Sequence, residues 1–139
     1  MRSILRSVVA VLAGVAVAAI VVAIVEAISS QVYRAPPGLN LADAAAMREF
    51  IRRLPAGAFV FVLAGWALGT LTGAWTAARL ADRSPLVHGN IIGTLLLGTG
   101  VANMLMLPHP AWMWVLGVIA FVACGYAGGR LAARAHPAA

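Results

Sequence analysis

Residues 84–129 read SPLVHGNIIGTLLLGTGVANMLMLPHPAWMWVLGVIAFVACGYAGG, without one Asp, Glu, Lys or Arg. One crossing of a bilayer's hydrocarbon core takes about 20 apolar residues. The stretch therefore supplies two crossings, divided at the Pro108-His109-Pro110 corner, because proline has no amide to give to a helix interior and clashes with the preceding turn. Few segments are available, and an unpaired backbone amide in lipid costs several kcal/mol, so the crossings must be helices.

Working outward, residues 54–78 form a second uncharged run and residues 7–25 a third, the latter bounded by Arg6 and Glu26. The third run is longer than the roughly 7–15 residues of a signal-peptide core and reads as an uncleaved crossing. The sequence thus predicts an all-α integral membrane protein of one domain, 1–139, built as a four-transmembrane-helix bundle. The crossings fall at about 7–29, 55–79, 86–107 and 110–133.

Composition agrees. With 63% apolar and 10% charged residues and a mean hydropathy of +0.95, the chain lies far from the soluble range of roughly 45–50% apolar and 25% charged. A sequence pI near 11.4 invites a nucleic-acid reading. However, all ten basic residues are arginines at the edges of apolar segments, where they act as topology and headgroup signals, so no nucleic-acid partner is expected. The one cysteine, Cys124, forms no internal disulfide and supports no thiolate metal framework.

Arg2, Arg6, Arg79, Arg83, Arg130 and Arg134 share one side, against Arg34, Arg48, Arg52 and Arg53 on the other. The positive-inside rule then places both termini in the cytoplasm of an inner-membrane protein. Between the first two crossings, residues 40–53 form a short amphipathic helix lying on the outer surface. Asn40 is its expected N-cap, with Asp43 in the position of a capping-box acid, and Glu49 and Arg53 stand at the i,i+4 spacing of a helical ion pair.

Two stretches repeat. Residues 54–63 and 107–116 share L-P-x-x-A-aromatic-x-aromatic-V-L at an offset of 53, and 79–83 and 130–134 share R-L-A-x-R at an offset of 51. The chain reads as two repeated helical hairpins, although a two-residue change of offset turns a helix by about 200°. Small residues let helices approach in lipid. Gly65, Gly69 and Gly73 form such a stripe on the second crossing. Gly14 does so on the first, Gly89 and Gly93 on the third, and Cys124 and Gly128 on the fourth.

Glu26 is the one acidic residue inside an apolar run, and ionisable groups at membrane depth are functional candidates. Pairing with Arg34 or with the amphipathic helix's arginines is the expected structural role, and proton or cation handling the functional one. Laying 101–105 over 24–28 puts Asn103 at the position of Glu26. Asn90 and Thr94, one turn apart, are expected to hydrogen-bond across helices, Trp66 to pack mid-span, and His88 and His109 to serve turns and interfaces. Arg79, Arg83, Arg130 and Arg134 are candidates for lipid headgroups. No phosphate loop, metal-ligand spacing or nucleophile-base pair appears, so neither an enzyme nor a cofactor is expected. The leading expectation is a non-catalytic module embedded in the bilayer that assembles with itself or a larger membrane complex. The alternative is a small transporter or channel subunit using Glu26.

Overall fold

The computed structural model describes residues 2–40, 42–81 and 83–135. His136 lies outside the described residues. Among these, all regular structure is helical: α1 (Arg2–Val32), α2 (Ala44–Arg52), α3 (Ala56–Leu80), α4 (Pro85–Met106) and α5 (Ala111–Arg134). Four of them, all but α2, are long and apolar enough to cross a membrane, consistent with a multi-pass membrane protein. The helix boundaries agree with the sequence reading within a few residues, except that α1 runs further at both ends.

The packing is set by glycines that bring backbones together. A methyl built on Gly73 would stand 2.5 Å from the carbonyl oxygen of Gly14 and 2.9 Å from the Ala18 side chain, and one on Gly69 would stand 2.8 Å from Val22. These contacts lock α1 antiparallel to α3. In the same way Gly89 faces Gly125 and Gly129, and Gly93 faces the Phe121 carbonyl at 2.8 Å, locking α4 antiparallel to α5. Gly128 joins the pairs by seating against Leu71, Ala74 and Trp75 of α3. α3 is thus the central helix, α1 lies at the periphery, and α1 scarcely meets α4.

The start of α1, the end of α3 and the end of α5 lie at one end of the bundle, where Arg6 donates to the Leu80 carbonyl at 2.9 Å and Arg79 to that of Ala135 at 3.0 Å. This end is called the termini end below. Here Arg79 stacks over Trp75 and Arg130 over Tyr126, each at 5.8 Å from the ring centroid. Ser84 adopts a left-handed backbone (φ 54°), reversing the chain so that Pro85 opens α4 at a position where a missing amide does no harm.

The other end carries α2. Its N-cap is Asp43, not Asn40: the Asp43 carboxylate accepts from the amides of Ala45 and Ala46 at 2.9 and 3.3 Å, satisfying two of the free donors of the first turn. Asn40 accepts from the Ala42 amide at 3.0 Å, shaping the turn that precedes the cap, so the helix starts three residues later than the capping pattern predicts. The Glu49–Arg53 ion pair forms as expected, at 2.8 Å. α2 lays its apolar face on the bundle, with Ile51 buried and Met47, Phe50 and Leu54 packed against the core of Phe59, Trp66, Met104, Met113 and Phe121. Arg48 ties it down by donating to the Met106 carbonyl at the C-terminus of α4, 3.2 Å away, where the helix dipole favours a cation.

Candidate functional site

Under α2 the helices part. A cavity of about 300 Å³ is bounded by α2 (Met47, Phe50, Ile51), the start of α3 (Ala58, Phe59, Val62), and polar side chains from three other segments. Those are Glu26, Ser29 and Ser30 on α1 with Tyr33 just past its end, Asn103 on α4, and His109 in the α4–α5 corner. A second cavity, about 330 Å³, runs along the cleft between α1 and α4: Val15, Ala19, Val22 and Glu26 form one wall, Leu96, Thr99, Gly100 and Asn103 the other, with Trp66 and Phe121 behind. Glu26 and Asn103 line both and stand where the two meet.

Each group has a local reason for its place. α1 continues six residues past Glu26, about 9 Å at 1.5 Å per residue, so the carboxylate lies within the span and not at the helix rim, exposed where the two cavities meet. Tyr33 at the end of α1 sets its hydroxyl against Gly57, where a Cβ would collide with it, and its ring meets Phe61 edge-on at 6.1 Å. Trp66 is buried, stacked on Phe121 at 5.2 Å. Gly117 and Gly100 make room for these two rings. His109 is held by a 2.9 Å contact from Nδ1 to the Leu107 carbonyl and lies edge-on to Phe59 at 5.7 Å. The proline corner thus turns the imidazole inward.

Glu26 has no hydrogen bond or ion pair among the described residues, which corrects the expectation of a structural partner. The arginines once assigned to it are used elsewhere: Arg34 donates to the Gln31 carbonyl at 3.3 Å, Arg48 to Met106, and Arg52 and Arg53 reach Glu49. Asn103 likewise has no side-chain hydrogen bond. Both side chains are exposed at the junction, and facing hydrocarbon there without a partner would carry a desolvation cost. Apolar walls with a few convergent polar groups are the usual lining of a small-molecule site.

The structure brings Glu26 and Asn103 together and leaves the other candidates apart. In the register set by the glycine contacts, Gly14 and Ala18 against Gly73 correspond to Gly89 and Gly93 against Gly125, an offset of 75 between α1 and α4, two residues from the overlay that paired Glu26 with Asn103. The two residues line the same cavities without occupying equivalent positions in that register. Gly14, Gly65, Gly69, Gly73, Gly89, Gly93 and Gly128 all pack within the chain, and Cys124 is half-buried on α5. Asn90 and Thr94 make no side-chain bond across helices among the described residues; they are exposed beside Tyr126. Arg79, Arg83, Arg130 and Arg134 lie at the termini end, far from the cavities.

Sequence reasoning missed His109, Tyr33 and the two serines as lining groups. For His109 a signal was present: an imidazole between two prolines has few directions to point. For the others only the three-dimensional arrangement shows it. Among the described residues, no three His, Cys, Asp or Glu side chains gather to hold a metal ion. No family model, curated protein or solved structure matches the chain.

Proposed function

We propose that the protein is a non-catalytic membrane protein that binds a small organic cation at Glu26, serving as a small transporter or as the substrate-holding subunit of one. The observation that carries this reading is the unpartnered Glu26 carboxylate at the junction of two cavities. The glycine seams that argued for assembly are consumed inside the monomer, which removes most of that argument. The carboxylate supplies the charge, Asn103 and the serines supply directional hydrogen bonds, and the Phe59 and Tyr33 rings that line the α2-side cavity suit the apolar body of an alkylated cation. One cavity reaches the α2 side and the other opens sideways between α1 and α4, so the junction is accessible by two routes.

In this reading the termini end faces the cytoplasm and the membrane is the inner one, as the arginine distribution argues. We further propose that the hairpins α1–α3 and α4–α5 are repeats. At the offset of 51, Trp66, Thr70, Ala74, Ala77, Ala78 and Ala81 on α3 correspond to Gly117, Phe121, Gly125, Gly128, Gly129 and Ala132 on α5, and all are buried. The Trp75–Arg79 and Tyr126–Arg130 stacks match at the same offset. At the offset of 53 the facing disagrees: Phe59 is buried where Trp112 is exposed, and Val60 exposed where Met113 is buried. Duplication is therefore argued from the termini half, and the L-P-x-x-A match is left to convergent use of proline and aromatics at helix starts.

The test is titration of nanodisc-embedded protein with tetraethylammonium, beside Glu26→Gln. Saturable binding by the wild type, weakened at least tenfold by the substitution, is expected. Equal binding by both, or none by either across alkali and alkylammonium ions, would contradict the assignment. Assembly with a larger membrane complex is a second reading, favoured by α1, whose outward face of Ile4, Leu5, Val8, Leu12, Ile20 and Ile24 is exposed along its length. Cross-linking in native membranes followed by detergent sizing tests it, and a strictly monomeric particle without a co-purifying partner counts against it.

A further inference from the structure

Toward the termini end a third recess lies on the outer face of the α4–α5 pair, remote from Glu26. Asn90, Gly93, Thr94 and Leu97 of α4 and Val122 and Tyr126 of α5 line it, around about 340 Å³. Asn90 and the Tyr126 hydroxyl lie nearest the termini, Thr94 and Val122 stand level with each other deeper along the helices, and Leu97 lies deepest. Above Tyr126 stands Arg130, which donates to the tyrosine hydroxyl at 3.3 Å while stacking on the ring. Arg130 is 19 residues into α5, about 28 Å from its start, which matches the depth of a bilayer boundary. The guanidinium is held beside Tyr126, one of the lining residues, with most of its five donors unused, and Asn90 and Thr94 have no side-chain hydrogen bond among the described residues.

We infer that this recess binds one anionic phospholipid, its phosphate on Arg130, its glycerol-ester region on Asn90 and Thr94, and an acyl chain along Leu97 and Val122. Charge complementarity selects the occupant. The sequence places Arg2, Arg6, Arg79, Arg83, Arg130 and Arg134 at this end against Asp82 alone. The related stack on α3 makes a useful contrast. Arg79 has the same relation to Trp75, yet it donates to the Ala135 carbonyl at 3.0 Å, and the positions related to Asn90 and Thr94 by the glycine register are Val15 and Ala19. Only the α4–α5 side combines an available guanidinium with polar groups and an apolar groove. A free phosphate would use the arginine and leave the groove empty, whereas a phospholipid uses both.

The experiment titrates delipidated full-length protein in detergent with phosphatidylglycerol or phosphatidylcholine and counts bound lipids by native mass spectrometry. One phosphatidylglycerol should be retained at least tenfold more strongly than phosphatidylcholine. Arg130→Gln, and separately Val122→Trp to fill the groove, should abolish that preference, while Arg79→Gln and millimolar inorganic phosphate leave it unchanged. Equal retention of both lipids, or equal losses in Arg79→Gln and Arg130→Gln, would overturn the inference. So would loss in Arg130→Gln with none in Val122→Trp, which would indicate phosphate recognition without a chain. Tetraethylammonium binding at Glu26 provides a separate readout, so the two proposals fail independently.

Discussion

The termini half and the α2 half of the bundle are made from the same four long helices, yet between the helices one is closed, its recess lying on the outer face of α4–α5, and the other open. In the closed half the contacts are backbone on backbone: Gly14 on Gly73, and Gly89 on Gly125 and Gly129. In the open half glycines instead admit side chains, with Gly117 receiving Trp66 and Gly100 receiving Phe121, and space remains around Glu26 and Asn103. Without a hydrophobic drive in lipid, stability comes from close packing and bonded polar groups. The closed half supplies it, and the open half can then carry an unpaired carboxylate.

The sharpest way to break this contrast is to thicken the closed half. Gly89→Ala would set a methyl 2.7 Å from the Gly125 carbonyl oxygen and 2.8 Å from the Gly129 Cα, so the backbones must separate. A loss of about 1–3 kcal/mol is expected, read as a lowered midpoint of reversible unfolding in mixed micelles. On the open side, removing the α2 cap with Asp43→Ala should cost about 1 kcal/mol, confined to α2 and seen as faster amide hydrogen exchange over residues 44–52 with the bundle unaffected. Gly98 provides the internal control on α4, since a Cβ there meets nothing within 4 Å. Gly98→Ala should be neutral or stabilising by about 0.5–1 kcal/mol. The smallest effect on stability is expected from Glu26→Gln, within about 0.5 kcal/mol, because no ion pair is lost. A large destabilisation there would mean that the carboxylate is structural after all.

Much of the scaffold can be read from residue order because the bilayer leaves few options. An uncharged run must be helical, Pro108-His109-Pro110 must turn, and the four-residue glycine stripes must face another backbone. Which backbone they face is not written locally: Gly128 meets α3 while Gly129, its neighbour, meets α4. The site was less legible. Glu26 drew attention as a charge in an apolar run, but its surroundings depend on α1 extending past it, on Asp43 starting α2 late, and on Arg48 spending its charge on the Met106 carbonyl. These choices depend on which hydrogen-bond acceptor lies nearest in space. The expected Arg34 partner fails for the same reason, since a carbonyl three residues away is closer than a carboxylate across a cavity.

The most direct test replaces Cys124 with alanine and introduces single cysteines at Asn103, in the open half, and at Ile92, fully buried in the closed half. The nanodisc-embedded protein is then treated with a water-soluble thiol reagent. Asn103→Cys is predicted to react, more slowly when tetraethylammonium is present, and Ile92→Cys to remain unlabelled. Protection of both positions, or equal labelling of both, would contradict an accessible chamber above a sealed base.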